Sequence, residues 1–106
     1  MSDLEYILER LTHEELLAQL AEETAELGKA ALKLRRVIDG RNPTPVSLSA
    51  AFENFEEEIA DVLLCLETLG FDHDGLTKYR HITSVKLARW RSRLEAKEQQ
   101  EGSADG

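Results

Sequence analysis

THEELLAQLAEETAELGKAALKLRRVIDG, residues 12–40, decides the fold class. Thr12-His13-Glu14-Glu15 has the capping-box form, in which the Thr12 hydroxyl accepts from the amide three residues on while Glu15 reaches back to the cap. A helix starts there. Leu16, Leu20, Leu27, Ala31, Leu34 and Ile38 fall on one stripe of three- and four-residue steps, the pattern of an amphipathic helix, and Gly40 supplies the stop. Upstream, Asp3 to Leu11 can form a short leading helix. Downstream, the two prolines of Arg41-Asn42-Pro43-Thr44-Pro45-Val46 forbid continued helix, and Ser47 can cap the next one. That helix carries Phe52, Phe55, Ile59, Val62, Leu66 and Leu69 on a stripe and ends at Gly70. After the turn Phe71-Asp72-His73-Asp74-Gly75, a last helix runs from about Leu76 to Glu98, with Tyr79, Ile82, Lys86, Trp90 and Leu94 along one side. No segment alternates with period two. The expected class is therefore all-α: an antiparallel bundle of three main helices plus a short N-terminal one, forming a helical domain over 1–98, with a disordered polar tail at 99–106.

Composition narrows the function. The 106 residues suit one domain with a modest core, which self-association would help to cover. Thirteen basic against 21 acidic residues give a net charge of −8, and such a chain repels a nucleic-acid backbone. The single cysteine, Cys65, permits no internal disulfide, and no apolar run reaches the length of a membrane span or signal sequence. These features point to a cytoplasmic protein that binds neither nucleic acid nor membrane.

Two acidic clusters carry the chemistry, Glu22-Glu23-Thr24-Ala25-Glu26 and Glu57-Glu58-Ile59-Ala60-Asp61. Residues three or four apart share a helix face, so each cluster sets like charges side by side. At 100° per residue, Glu23 lies about 60° from Leu20 and about 40° from Leu27, inside the apolar arc. Glu58 lies beside the Phe55, Val62 and Leu69 line, with Asp61 and Cys65 just beyond it. A buried carboxylate needs a raised pKa, a basic partner or a metal. Packed antiparallel, the two helices would bring Glu23, Glu26, Glu58 and Asp61 together, and hard divalent ions such as Mg²⁺ take carboxylate oxygens. The alternative for any one E-x-x-E pair is an ordinary solvated helix face.

These motifs, E-E-x-x-E at Glu22 to Glu26 and E-x-x-D at Glu58 to Asp61, resemble those of the MazG-like nucleoside triphosphate pyrophosphohydrolases. That all-α superfamily includes dimeric dUTPases and phosphoribosyl-ATP pyrophosphohydrolase. The resemblance spans roughly Leu16 to Leu94 and extends to the basic stretch Lys86-Leu87-Ala88-Arg89-Trp90-Arg91-Ser92-Arg93-Leu94. It implies hydrolysis of a nucleoside triphosphate to monophosphate and pyrophosphate, dependent on Mg²⁺ with Mn²⁺ as a substitute. It further implies Glu23, Glu26, Glu58 and Asp61 as metal ligands, and Glu22 as a further ligand or the group that orients the attacking water. A homodimer or homotetramer with a four-helix-type active-site bundle is implied as well. Within this expectation Lys86, Arg89 and Arg93 are candidates for the outer phosphates, with Lys29 and Lys33 behind them.

Other roles stay open for several of these residues. Lys29, Lys33, Arg35 and Arg36 also suit surface ion pairs and a favourable helix C-terminus. Trp90 suits a core or a subunit interface, and Cys65 a small buried hydrophobe near the site. His13, His73 and His81 show no ligand spacing, and the absence of Glu-x-x-His argues against a di-iron bundle. The Asn42-Pro43-Thr44-Pro45 linker is a rigid connection or a loop that reads base or sugar. The alternatives to a general triphosphatase are a phosphoribosyl-ATP pyrophosphohydrolase and a non-catalytic helical module with an acidic face.

Overall fold

A computed structural model describes residues 1–41, 45–71 and 77–105, with side chains to residue 102 in the last stretch. Among these residues the chain is all-α, with helices α1 (Asp3–Arg10), α2 (His13–Ile38), α3 (Leu48–Thr68) and α4 (Arg80–Asp105) and no strand. It divides into two units, Met1–Phe71 and Asp72–Gly106. No helix among the described residues is long and apolar enough to cross a membrane.

Local chemistry sets the helix ends in the first unit. Ser2 caps α1 through a full capping box, with its Oγ accepting from the Glu5 amide at 3.1 Å and Glu5 Oε2 accepting from the Ser2 amide at 3.2 Å. Thr12 and Ser47 cap the next two helices as expected, without the return bond from Glu15 that a full capping box requires. Thr12 Oγ1 accepts from the Glu15 amide and Ser47 Oγ from the Ala50 amide, both at 3.1 Å. Gly40 and Gly70 end α2 and α3 with φ of 75° and 90°, a conformation that costs glycine little. In both, two reverse amide bonds close a Schellman motif, Arg41 to Arg36 and Gly40 to Val37, then Phe71 to Leu66 and Gly70 to Glu67.

The first unit is organised around the packed pair α2 and α3. Its buried side chains are Leu16, Ala30, Leu34, Ala51 and Cys65. Buried and half-buried positions form a line of Leu16, Leu20, Glu23, Leu27, Ala30, Leu34 and Val37 on α2 and of Ala51, Phe55, Glu58, Val62, Cys65 and the C-cap Leu69 on α3, with Lys33, Ile59, Leu66 and Thr68 half-buried beside it. Both lines step by four and three in strict alternation, the seam spacing of a coiled coil. This corrects three expected core positions. Ala31 is exposed in favour of Ala30, Ile38 is 67 % exposed in favour of Val37, and Phe52 is 48 % exposed in favour of Ala51. Each lies in a pair of adjacent apolar residues that fits two helix phases, and the packed neighbour selects the one on the seam.

The helices run antiparallel. Glu23 meets Glu58 and Asp61, while Leu16 and Gln19, earlier on α2, share a cleft with Leu64, Cys65 and Thr68, later on α3. Counting outward from Glu23 and Glu58 therefore sets Leu20 opposite Val62 and Leu27 opposite Phe55. On α1, the Arg10 guanidinium lies 3.4 Å from the centre of the Tyr6 ring, a cation–π contact.

In the second unit, α4 begins at Arg80 and continues past Glu98 to Asp105. The segment expected as a disordered tail from Gln99 is thus helical to Asp105. Glu95 to Glu101 are all good helix formers with no Gly or Pro among them, which carries the helix on. Every described side chain from Arg80 to Gly102 is exposed, including Trp90 at 60 %. Leu76, the loop residues Asp72 to Gly75 and linker residues Asn42 to Thr44 lie outside the described residues.

Candidate metal centre

At the middle of the α2–α3 seam three carboxylates converge. One oxygen each from Glu23, Glu58 and Asp61 lies within 4.8 Å of the others. The seam spacing puts Glu23 and Glu58 there, both half-buried, and Asp61 follows Glu58 by one turn at the exposed edge. Glu23 is held by Gln19 one turn earlier, whose Nε2 donates to Glu23 Oε1 at 2.9 Å.

Desolvation raises the Glu58 pKa most, and the carboxylates of Asp61, Glu23, Glu26 and Glu57 raise it further. Burial likewise raises the Cys65 thiol, with Glu23 and Asp61 adding to it. Cys65 therefore stays a protonated thiol on the apolar side of the site, which disfavours a nucleophilic or soft-metal role. The basic side chains do not neutralise the trio. Among the described residues the ion pairs are Lys29 with Glu26 at 3.4 Å and Arg91 with Glu95 at 2.6 Å.

The donor set fits a hard divalent cation. Octahedral Mg²⁺ binds oxygen at about 2.1 Å, so its ligand oxygens stand about 3 to 4.2 Å apart. Oxygens already within 4.8 Å of one another reach that spacing by small side-chain rotations.

The remaining expected site residues are placed less centrally. Glu26 is exposed, close enough to act on Glu58, and paired with Lys29 rather than gathered into the trio. Glu22 is exposed on α2 outside the trio, and Lys33 is half-buried further along the same helix. Lys86, Arg89 and Arg93 share one face of α4 with Val85, Ala88 and Ser92, around a shallow depression of the second unit.

Two features escaped the sequence-based expectation. One is Gln19, whose position one turn before Glu23 was the available signal. The other is a cleft of about 250 Å³ bounded by α1, α2 and α3, into which Ile7 and Leu11 bring the leading helix. Glu23 and Asp61 line this cleft as well as the trio, so the two adjoin. Compared with protein-family models, curated proteins and solved structures, the chain finds no match.

Proposed function

We propose that this chain is a Mg²⁺-dependent nucleoside triphosphate pyrophosphohydrolase that converts ribo- or deoxyribonucleoside triphosphates to the monophosphate and pyrophosphate in a nucleotide-cleaning role. One observation carries the proposal: Glu23, Glu58 and Asp61 converge from two helices onto one point of a packed seam, with no basic partner among the described residues. Like charges in a seam oppose packing, and a bound cation reverses the sign. Glu23, Glu58 and Asp61 hold it, and Glu26 joins by releasing Lys29. When bound, Mg²⁺ neutralises phosphate oxygens and lowers the pKa of coordinated water.

In this reading water attacks the α-phosphorus and gives up its proton to solvent, the bond from that phosphorus to the α,β-bridging oxygen breaks, and pyrophosphate leaves with the electron pair. Glu22 orients the water. Lys29 and Lys33 meet the outer phosphates, where charge-assisted hydrogen bonds are strongest, and Lys86, Arg89 and Arg93 keep the same candidate role on their charge and shared helix face alone. Assembly as a homodimer or homotetramer belongs to the same proposal. Leu17, Leu32, Leu48, Leu63 and Leu64 of α2 and α3 are each more than half exposed, which favours burial against another copy.

Pyrophosphate release from a panel of triphosphates, with Mg²⁺ and with EDTA, tests the reading. Wild type should turn over only with Mg²⁺, and Glu23→Gln should be inactive yet helical by circular dichroism. Silence across the panel from folded protein that Mg²⁺ does not stabilise would favour the acidic interaction module. Turnover confined to phosphoribosyl-ATP would move the substrate to that compound.

A further inference from the structure

We infer that the cleft between α1, α2 and α3 receives the nucleobase, and that it selects bases carrying an exocyclic amino group over their oxo counterparts. The inference rests on the proposed hydrolase reading, which sets the phosphates at the adjoining trio. Its own support is the cleft's shape and hydrogen-bonding inventory.

Leu16 and Cys65, 4 % and 7 % exposed, form a buried apolar floor, and Ile7, Leu11 and Leu64 form the walls and mouth. At about 250 Å³ the cleft falls below the 300 to 1,000 Å³ usual for drug-sized ligands, so it suits one flat ring system rather than a whole nucleotide. Its polar groups are Gln19, Glu23, Asp61 and Thr68. The carboxylate oxygens of Glu23 and Asp61 are acceptors. The Thr68 hydroxyl gives its hydrogen to the Cys65 carbonyl at 2.7 Å, which leaves its oxygen lone pairs for a ligand. Gln19 spends one of its two amide N–H groups on Glu23 at 2.9 Å, which leaves its carbonyl oxygen and one N–H. Cys65 adds only a weak S–H donor.

A cleft in which acceptors outnumber donors favours a ring edge that donates. Cytosine and adenine present an amino group where uracil and hypoxanthine present a carbonyl. A carbonyl facing these acceptors leaves both sides unpaired, which is how polar sites reject an isostere.

The test is binding of matched monophosphate pairs, dCMP against dUMP and AMP against IMP, to the intact chain by calorimetry in Mg²⁺. The amino member of each pair should bind about tenfold more tightly. Thr68→Val and the exposed-site variant Gln19→Met should each narrow that ratio, mainly by weakening the amino member. Equal binding, preference for the oxo members, or no binding of any of the four overturns the inference. Pyrophosphate release is scored separately. A protein that hydrolyses triphosphates without amino preference keeps the proposed function and loses this inference, whereas one that discriminates the monophosphates without hydrolysis keeps the cleft assignment and loses the proposed function.

Discussion

Replacing Asp61 by Asn should change the order of stability between two buffers. Asp61 is exposed, and the substitution keeps its shape while removing one charge. Its carboxylate oxygen lies within 4.8 Å of that of Glu23. At that distance two unit charges in a water-like dielectric repel by about 0.9 kcal/mol, and the low-dielectric limit is excluded because Asp61 faces solvent. In EDTA the variant should therefore be more stable than wild type by about that amount, or roughly 4 °C in a domain of this size. Mg²⁺ at a hundred times its dissociation constant adds about 2.7 kcal/mol to wild type. A variant with hundredfold weaker affinity gains only about 0.4 kcal/mol at the same concentration, which leaves wild type ahead by about 1.4 kcal/mol. Thermal unfolding followed by circular dichroism, in EDTA and in Mg²⁺, reads both values. A variant that melts below wild type in EDTA removes the repulsion from the account. Equal gains from Mg²⁺ remove Asp61 from the ligand set.

The raised pKa of Glu58 gives a pH signature: the folded state binds its proton more tightly than the unfolded chain, so metal-free stability should fall as pH rises from about 4 through the Glu58 pKa. Urea unfolding in EDTA across that range should show the slope in wild type and lose this component in Glu58→Gln. Leu16→Ala truncates a side chain that is 4 % exposed, and because the adjoining cleft lets the space open to solvent, the cost should lie near the low end for such changes, about 2 kcal/mol by urea unfolding. Gly70→Ala places a Cβ at φ 90° and should cost about 1 kcal/mol in the same assay.

The helices were legible because their punctuation is local. Thr12, Ser47, Gly40 and Gly70 each act within one turn, and each does what its chemistry requires. The half-burial of Glu23 and Glu58 was legible from their angles to Leu20, Leu27 and Phe55. Helix phase was less so, since Ala30-Ala31 and Val37-Ile38 each offer two choices that only the neighbouring helix decides. Counting Glu23 and Glu58 as seam residues, instead of passing over them as polar, makes the alternation of four and three unbroken and selects Ala30, Val37 and Ala51. The cleft was hidden for a different reason. Ile7 on α1, Gln19 on α2 and Thr68 on α3 are far apart in the chain, and no spacing rule joins them.

That unbroken alternation also bears on why acids occupy the seam. A polar residue at a seam position can specify register when it pairs across the interface, as one amide does with another. Two facing carboxylates cannot, because each opposes the alignment that brings them together. Here the repulsion is eased by a proton that Glu58 holds above its ordinary range, by the amide that Gln19 gives to Glu23, and by Lys29 on Glu26. None of these places a basic group on Glu58 or Asp61 among the described residues. The arrangement gains stability only when a third, positive party enters, and over the pH range in which Glu58 is protonated binding displaces that proton, so that there cation affinity rises with pH as stability without the cation falls. These opposite slopes share one origin. A seam whose acids served packing alone would show the second slope without the first.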